Sequence, residues 1–332
     1  MSGLADPKFP YVSVIVPVYN DLAGLNNCLF VLTSQTYPRD RYEIMVVDNG
    51  SEENVRMITQ CYPQVRLVFE PVRGSYAARN QGIRHSYGEI LAFTDSDCMP
   101  AANWIERGVE QLGAVPNCGL VGGRIGLVFR DPQRPTAAEL YDRFFYFHQD
   151  AYVRDKHFAA TANLFTSRRV FEKIGLFDDG LQSGGDREWG RRVYAAGYAQ
   201  VYAEDVTVFH RARSHWADIR GKFVRINSAN PGFKKENIFK FIGRCVIFLP
   251  NLAFFLFQMA GSREIVSWRQ KIKLMFFSLA LEGVRVAMRA RLQFSRPQSP
   301  NRHPDAREAN RRIGPEDFKK NRHALRDNPP MP

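Results

Sequence analysis

The sequence predicts an α/β protein with a mostly parallel sheet flanked by helices, followed by apolar helices and a polar tail. Three observations carry this. Strand-like and helix-like stretches alternate in a β-α-β-α-β-α-β series over residues 11–94. The chain has 332 residues, 45% of them hydrophobic, enough for the core of one large domain or two small ones. Residues 1–230 hold 26 basic and 26 acidic side chains, so the whole net charge of +12 falls on 231–332. A neutral body with a basic C-terminal region suggests a soluble domain attached to something anionic.

The elements follow in order. "YVSVIVP" (11–17) is rich in β-branched residues and reads as a buried strand. A helix follows over about 22–35, with Leu22, Leu25, Leu29 and Leu32 on one face. "YEIMVVD" (42–48) is the second strand, then a polar break and a helix to about 61. "VRLVFE" (65–70) is the third strand, "SYAARNQGIRHSYG" (75–88) a helix stopped by glycine, and "EILAFT" (89–94) the fourth strand. "GLVGGRIGLVF" (119–129) reads as a strand with a glycine break, and 136–150 as an aromatic helix. Residues 167–175 and 184–198 are helices closed by Gly175 and Gly197, and 199–210 is a strand ending at His210.

Beyond about residue 230 the character changes. Residues 245–260 carry no charge but include Pro250, and 274–292 are apolar but interrupted by Glu282, Arg285, Arg289 and Arg291. Basic residues flank both runs. Such stretches suit an anionic membrane surface, through residues 231–292, lying on it rather than crossing it. The alternative is packing on the main domain or in a homodimer. Residues 293–332 read as a basic disordered tail. The five cysteines show no C-x-x-C spacing and an odd count, against a disulfide framework or a cysteine-rich zinc site and in favour of a reducing compartment. The first ten residues have no apolar signal-peptide core.

In open α/β sheets ligands bind outside the carboxyl ends of the strands. Three strand ends there carry polar chemistry. Asp95 and Asp97 in "TDSD" can reach one hard cation and its attached phosphates, since Mg²⁺ or Mn²⁺ takes few protein carboxylates. The plain alternative is a solvated Asx-turn. Asp48 could accept from a base or ribose, or be a turn aspartate. Pro17 and Tyr19 in "VPVYN" offer a backbone edge and a ring for a flat base. "GSYAARN" opens a helix near the same rim and adds Arg79 and Asn80; Arg79 is otherwise a surface helix arginine.

"VSVIVPVYND", "VVDNGS", "AARNQGI", "GEILAFTDSD" and "GGDREWGRRVYAAGY" occur in the order found in family 2 glycosyltransferases, which this chain resembles over about residues 11–215. The resemblance implies the inverting, metal-dependent GT-A fold: a Rossmann-like nucleotide-sugar-binding half (about 11–118) joined to an acceptor-binding half (119–230). Pro17, Tyr19, Asp48, Arg79 and Asp95 would meet the nucleotide sugar. Asp97 would ligate Mn²⁺ or Mg²⁺. Asp186 falls where the family keeps its general base, and His210 where a further metal or diphosphate ligand is placed. Without the resemblance, Asp186 is a helix N-cap and His210 a surface histidine at a strand end. Glu188 is a neighbour that could assist.

The Q-x-x-R-W stretch of processive members is missing, which implies one sugar per binding event. The implied partners are a nucleotide-sugar donor and a glycan or lipid-linked acceptor, in polysaccharide or glycolipid assembly at the cytoplasmic face of a membrane. A sugar-nucleotide-forming nucleotidyltransferase would carry a glycine-rich, basic loop where "PVYND" stands. A non-catalytic glycan- or nucleotide-binding module would not need Asp95, Asp97 and Asp186 together. The basic tail lacks the aromatic interleaving of a nucleic-acid site, so no nucleic-acid partner is expected.

Overall fold

The computed structural model describes residues 9–229 and 267–294. The uncharged run 245–260 and the tail 295–332 lie outside the described residues. The described chain forms two compact units, one of residues 9–126 and 148–210, the other of 127–147, 211–229 and 267–294.

The first unit is built on an eight-stranded mixed sheet. β1 (Val12–Val18) and β2 (Tyr42–Asp48) are buried almost throughout, as expected of strands covered on both faces. β1 runs parallel to β2 and to β4 (Ile90–Phe93), and β2 parallel to β3 (Val65–Phe69). β7 (Leu164–Ser167) then enters antiparallel to β4 and to β6 (Cys118–Val128). β5 (Cys98–Pro100) pairs antiparallel with β8 (Ala199–Arg211), and the full order is β3-β2-β1-β4-β7-β6-β8-β5. The parallel half aligns the ends of β1, β2 and β4, with Val18 opposite Asp48.

The helices follow their sequence signals closely. α1 (Leu22–Leu32) is capped by Asp21, whose carboxylate accepts from the Gly24 amide at 3.0 Å, and buries Leu25, Leu29 and Leu32. α2 (Arg56–Thr59) is a single turn, shorter than the expected helix. α3 (Ser75–His85) lies against the sheet through Gly82, where an added Cβ would sit 2.6 Å from Ile15. α4 (Trp104–Ala114) was not anticipated; Trp104 and Ile105 are buried, and the Trp104 indole donates to Asn163 at 2.9 Å. α6 (Gln149–Lys156), α7 (Arg168–Ile174) and α8 (Gly185–Ala195) complete the unit.

Two expectations are corrected. Residues 118–128 form one unbroken strand, and Gly123 makes room instead of breaking it. A Cβ there would lie 2.4 Å from Asn163, which donates to the carbonyls of Arg124 and Val206 at 2.8 Å each. The aromatic helix expected over 136–150 is two helices, separated where Phe147 adopts φ +64°.

The second unit packs α5 (Ala137–Phe145), α9 (Trp216–Ser228) and α10 (Trp268–Phe294) around Tyr141, Ile219, Phe223, Leu274 and Leu281. Thr136 and Glu139 form a reciprocal capping box at the start of α5. Asp142 is fully buried but paired with Arg213 at 3.3 Å and Lys222 at 3.1 Å, and its carboxyl lies below the usual range. Burial alone would raise it, and the two cations outweigh that. Among the described residues no helix is long and apolar enough to cross a membrane.

One crowded and one open helical glycine give a stability test. Gly82→Ala should destabilise the protein by roughly 1–3 kcal/mol, since the new methyl meets Ile15. Gly113→Ala, on α4 with open space around it, should be neutral or stabilise by up to about 1 kcal/mol. Urea denaturation of the two variants measures both; equal effects would contradict the packing described.

Candidate active site

The carboxyl ends of β1 and β2 form one polar rim. The Asn49 amide donates to the Val18 carbonyl at 2.9 Å, extending the β1–β2 ladder past Asp48. Asp48 accepts from the Ser51 amide at 2.9 Å, which turns the chain sharply after β2. Asn20, at φ +49°, receives the Glu52 amide on its side-chain oxygen at 2.8 Å. Pro17 is half-buried in β1 opposite Val47. Tyr19 stands out from the rim, 49% exposed, with the Arg73 guanidinium 4.1 Å from its ring centre. Asn49 donates to the carbonyls of Glu70 and Val72 at 3.0 and 2.7 Å and accepts from the Gly74 amide at 2.8 Å. That fixes where α3 begins.

α3 presents Tyr76, Arg79, Asn80 and Ile83 at helical spacing, all buried. Arg79 is not a surface arginine: its side chain is 4% exposed, and its guanidinium donates to Asp95 Oδ1 beyond the end of β4. Its Nε is buried without a hydrogen-bond partner. Asn80 donates to the Phe177 carbonyl at 2.9 Å and accepts from the Phe177 amide at 3.1 Å. It therefore anchors the loop that leads into α8.

Asp97 closes the turn that leads into β5. The antiparallel pairing of β5 with β8 sets Cys98 opposite His210. His210 is 2% exposed, so it is no surface residue, and its Nε2 lies 3.2 Å from Asp97 Oδ2. One donor atom each from Asp97, Cys98 and His210 lie within 4.8 Å of one another. Burial, followed by the charges of Asp97 and Asp95, pushes the Cys98 thiol well above its usual range, so it stays a neutral thiol. A partly exposed carboxylate and a buried imidazole on adjoining strands form a donor set that fits a divalent ion such as Mn²⁺, with the remaining positions open to water and phosphate oxygens.

Asp186 sits in the first turn of α8, after Gly184 in the left-handed region at φ +82°. The Arg187 amide donates to its Oδ1 at 2.8 Å and the Tyr76 hydroxyl to the same oxygen at 3.3 Å. Burial raises its pKa. The Arg187 amide, the Arg79 charge and the Tyr76 hydroxyl oppose that without cancelling it. Glu188 instead pairs with Arg192 at 2.8 Å, whose guanidinium also donates to the carbonyls of Ile174 and Leu176. It is part of a clamp behind the helix. Tyr76 went unassigned in the sequence, and no spacing signal links it to a residue 110 positions away.

Residues 13–175 match the family described as glycosyl transferase family 2. Glycosyltransferase AglE of Haloferax volcanii is 43% identical over 209 residues, 61% of this chain and 68% of that protein. The dolichyl N-acetyl-α-D-glucosaminyl phosphate 3-β-D-2,3-diacetamido-2,3-dideoxy-β-D-glucuronosyltransferase of Methanococcus voltae is 20% identical over 217 residues, 61% of this chain and 68% of that one. The structure of a mannosyltransferase from Pyrobaculum calidifontis, in complex with GDP-Man and Mn²⁺, aligns with a TM-score of 0.52 at 20% identity, covering 87% of this chain and 76% of that one, and shares its fold. The order of the strand-end motifs, the mixed sheet that aligns them and the extent of the match to AglE agree: this chain belongs to glycosyl transferase family 2, as an inverting nucleotide-sugar glycosyltransferase of the GT-A fold.

Proposed function

We propose that the protein transfers one sugar per binding event from a nucleoside-diphosphate sugar to a hydroxyl of a lipid-linked glycan, working at the cytoplasmic face of a membrane. The carrying observation is the presence of two devices in the first unit. Asp97 beside His210 suits a divalent ion, and Asp186 is a half-buried carboxylate with a raised pKa. The lipid-linked acceptor is supported by the dolichyl phosphate substrate in the name of the Methanococcus relative.

On this reading Tyr19 offers its exposed ring to the nucleobase and Asp48 a carboxylate to the base or ribose, beside Pro17. Asp95 faces the ribose, held in place by Arg79. Asp97 and His210 would hold the metal, Mn²⁺ or Mg²⁺, which would supply positive charge against the departing diphosphate. Asp186 accepts the proton of the acceptor hydroxyl as that oxygen bonds to the anomeric carbon. The bond from that carbon to the diphosphate breaks, and its electron pair leaves with the diphosphate. Attack opposite the leaving group inverts the anomeric centre. A raised pKa makes Asp186 a stronger base than an exposed aspartate.

The membrane reading is supported in the second unit by α10. Trp268, Ile272 and Phe276 recur every four residues and are 66%, 40% and 63% exposed, with Arg269 and Lys273 exposed on the same turns. An apolar stripe beside cations complements an anionic lipid surface, and the excess positive charge of 231–332 has the same sign preference.

Four outcomes test these assignments. Asp97→Asn and His210→Ala should each weaken Mn²⁺-dependent binding of a UDP- or GDP-sugar at least tenfold, about 1.4 kcal/mol, by calorimetry. Asp186→Asn should keep donor affinity and lose roughly 10²–10⁴ in transfer rate; transfer at the wild-type rate would refute the base. The wild-type rate should fall as pH drops through the raised Asp186 pKa, with the acid limb above the ordinary aspartate value of about 3.9. Finally, Trp268→Ser/Phe276→Ser should reduce co-sedimentation with phosphatidylglycerol vesicles, and high salt should reduce it further. Unchanged sedimentation rejects attachment through this face, and a change of oligomeric state instead assigns it to a second copy of the chain.

A further inference from the structure

Both hydrogen bonds to the Asp186 side chain fall on one oxygen. The Arg187 amide and the Tyr76 hydroxyl each reach Oδ1, at 2.8 and 3.3 Å, and no other hydrogen bond to this carboxylate is made among the described residues. An ionised carboxylate has about four acceptor sites on two oxygens. Two donors on Oδ1 fix the carboxylate plane and leave Oδ2 as the oxygen with open lone pairs.

Tyr76 is held where it can do this. It is 6% exposed, and its ring rests on Gly185, where an added Cβ would come within 2.8 Å of it. The Phe177 ring lies 5.8 Å away, and the Asn80 bonds to Phe177 secure that loop. One turn along α3, Arg79 holds Asp95. A single rigid helix thus sets both the donor-side carboxylate and the base.

We propose that Tyr76 is a positioning residue for the transfer step: its hydroxyl holds Asp186 so that Oδ2 is the atom that receives the acceptor proton. This rests on the assignment of Asp186 as the base. The tyrosine keeps its own proton throughout, because burial and the neighbouring carboxylate push its phenol up. Its bond favours the ionised form of Asp186, so it also limits how far burial can raise the base.

Tyr76→Phe keeps the ring on Gly185 and removes only the hydroxyl. The reaction to follow is hydrolysis of UDP-glucose, UDP-N-acetylglucosamine or GDP-mannose with Mn²⁺, whichever the wild type cleaves fastest, with water as surrogate acceptor. The expected result is a fall in kcat of roughly 10- to 100-fold, as for loss of a hydrogen bond to a charged group, with donor KM unchanged. The acid limb of the kcat–pH profile should move to higher pH, since the carboxylate loses a bond that favoured its charged form. A purely structural tyrosine would not move that limb. An unmoved limb with kcat within about twofold of wild type, or a loss confined to donor KM, overturns the proposal. If Tyr76→Phe is unstable in thermal unfolding, Gly185→Ala serves instead. Its methyl displaces the ring and should shift the limb the same way, and an unmoved limb again overturns the proposal. Asp186→Asn separates the two readings. If it stays active, the base assignment fails. If it is inactive while Tyr76→Phe is normal, only the role of Tyr76 fails.

Discussion

A guanidinium buried in a protein must be paired, and the pairing of Arg79 with Asp95 organises the first unit. The arginine sits on the third helix and the aspartate beyond the fourth strand, so their bond ties helix to strand end at the rim where the nucleotide sugar is read to bind. The same helix carries Tyr76 and Asn80 on the same face. Asn80 fastens the loop before the helix that bears Asp186, and Tyr76 touches that carboxylate directly. Three residues within five positions therefore position carboxylates contributed from distant parts of the chain. Gly82 lets the helix sit close enough to the sheet for this, since any Cβ there would strike Ile15.

The second constraint is a short antiparallel ladder. Three residues, Cys98 to Pro100, pair with the end of the eighth strand, and that register brings His210 to Asp97. Backbone hydrogen bonds in a ladder set the spacing of opposed residues to within the reach of one ion. Strand pairing therefore fixes His210 opposite Cys98, and the turn just before that strand brings Asp97 beside it. The half-buried carboxylate faces the open side, while the imidazole is backed by the sheet.

Electrostatic demands differ between the carboxylates. Asp95 is paired with a cation, Asp97 faces an imidazole, and Asp186 has two neutral donors within a buried setting that raises its pKa. On the proposed reading, environments of this kind let one side chain type serve as ribose acceptor, metal ligand and base. Asp142 of the second unit marks the contrast. It is the same side chain type and fully buried, yet two cations hold it below the usual range.

Much of this was legible in the residues themselves. Continuous β-branched runs marked the first three strands, and glycines marked the ends of the seventh and eighth helices, because these signals depend on local backbone preference and burial, whereas the third helix ends at His85 before its expected glycine. Asp48, Asp95 and Asp97 stood out because polar residues at the ends of apolar elements are visible in one dimension, and Asp186 stood out through the family resemblance. The three-residue fifth strand, the four-residue seventh strand and the fourth helix were not visible. Strands that short have no periodicity to detect, and they exist through their partners. The glycines of the sixth strand looked like a break, but they are places where Asn163 and Val206 approach closely. The partner of Arg79, the burial of His210 and the bond from Tyr76 to Asp186 were decided by tertiary structure alone. Each joins residues far apart in the chain, and only the folded backbone determines which distant side chain fills a buried donor's need.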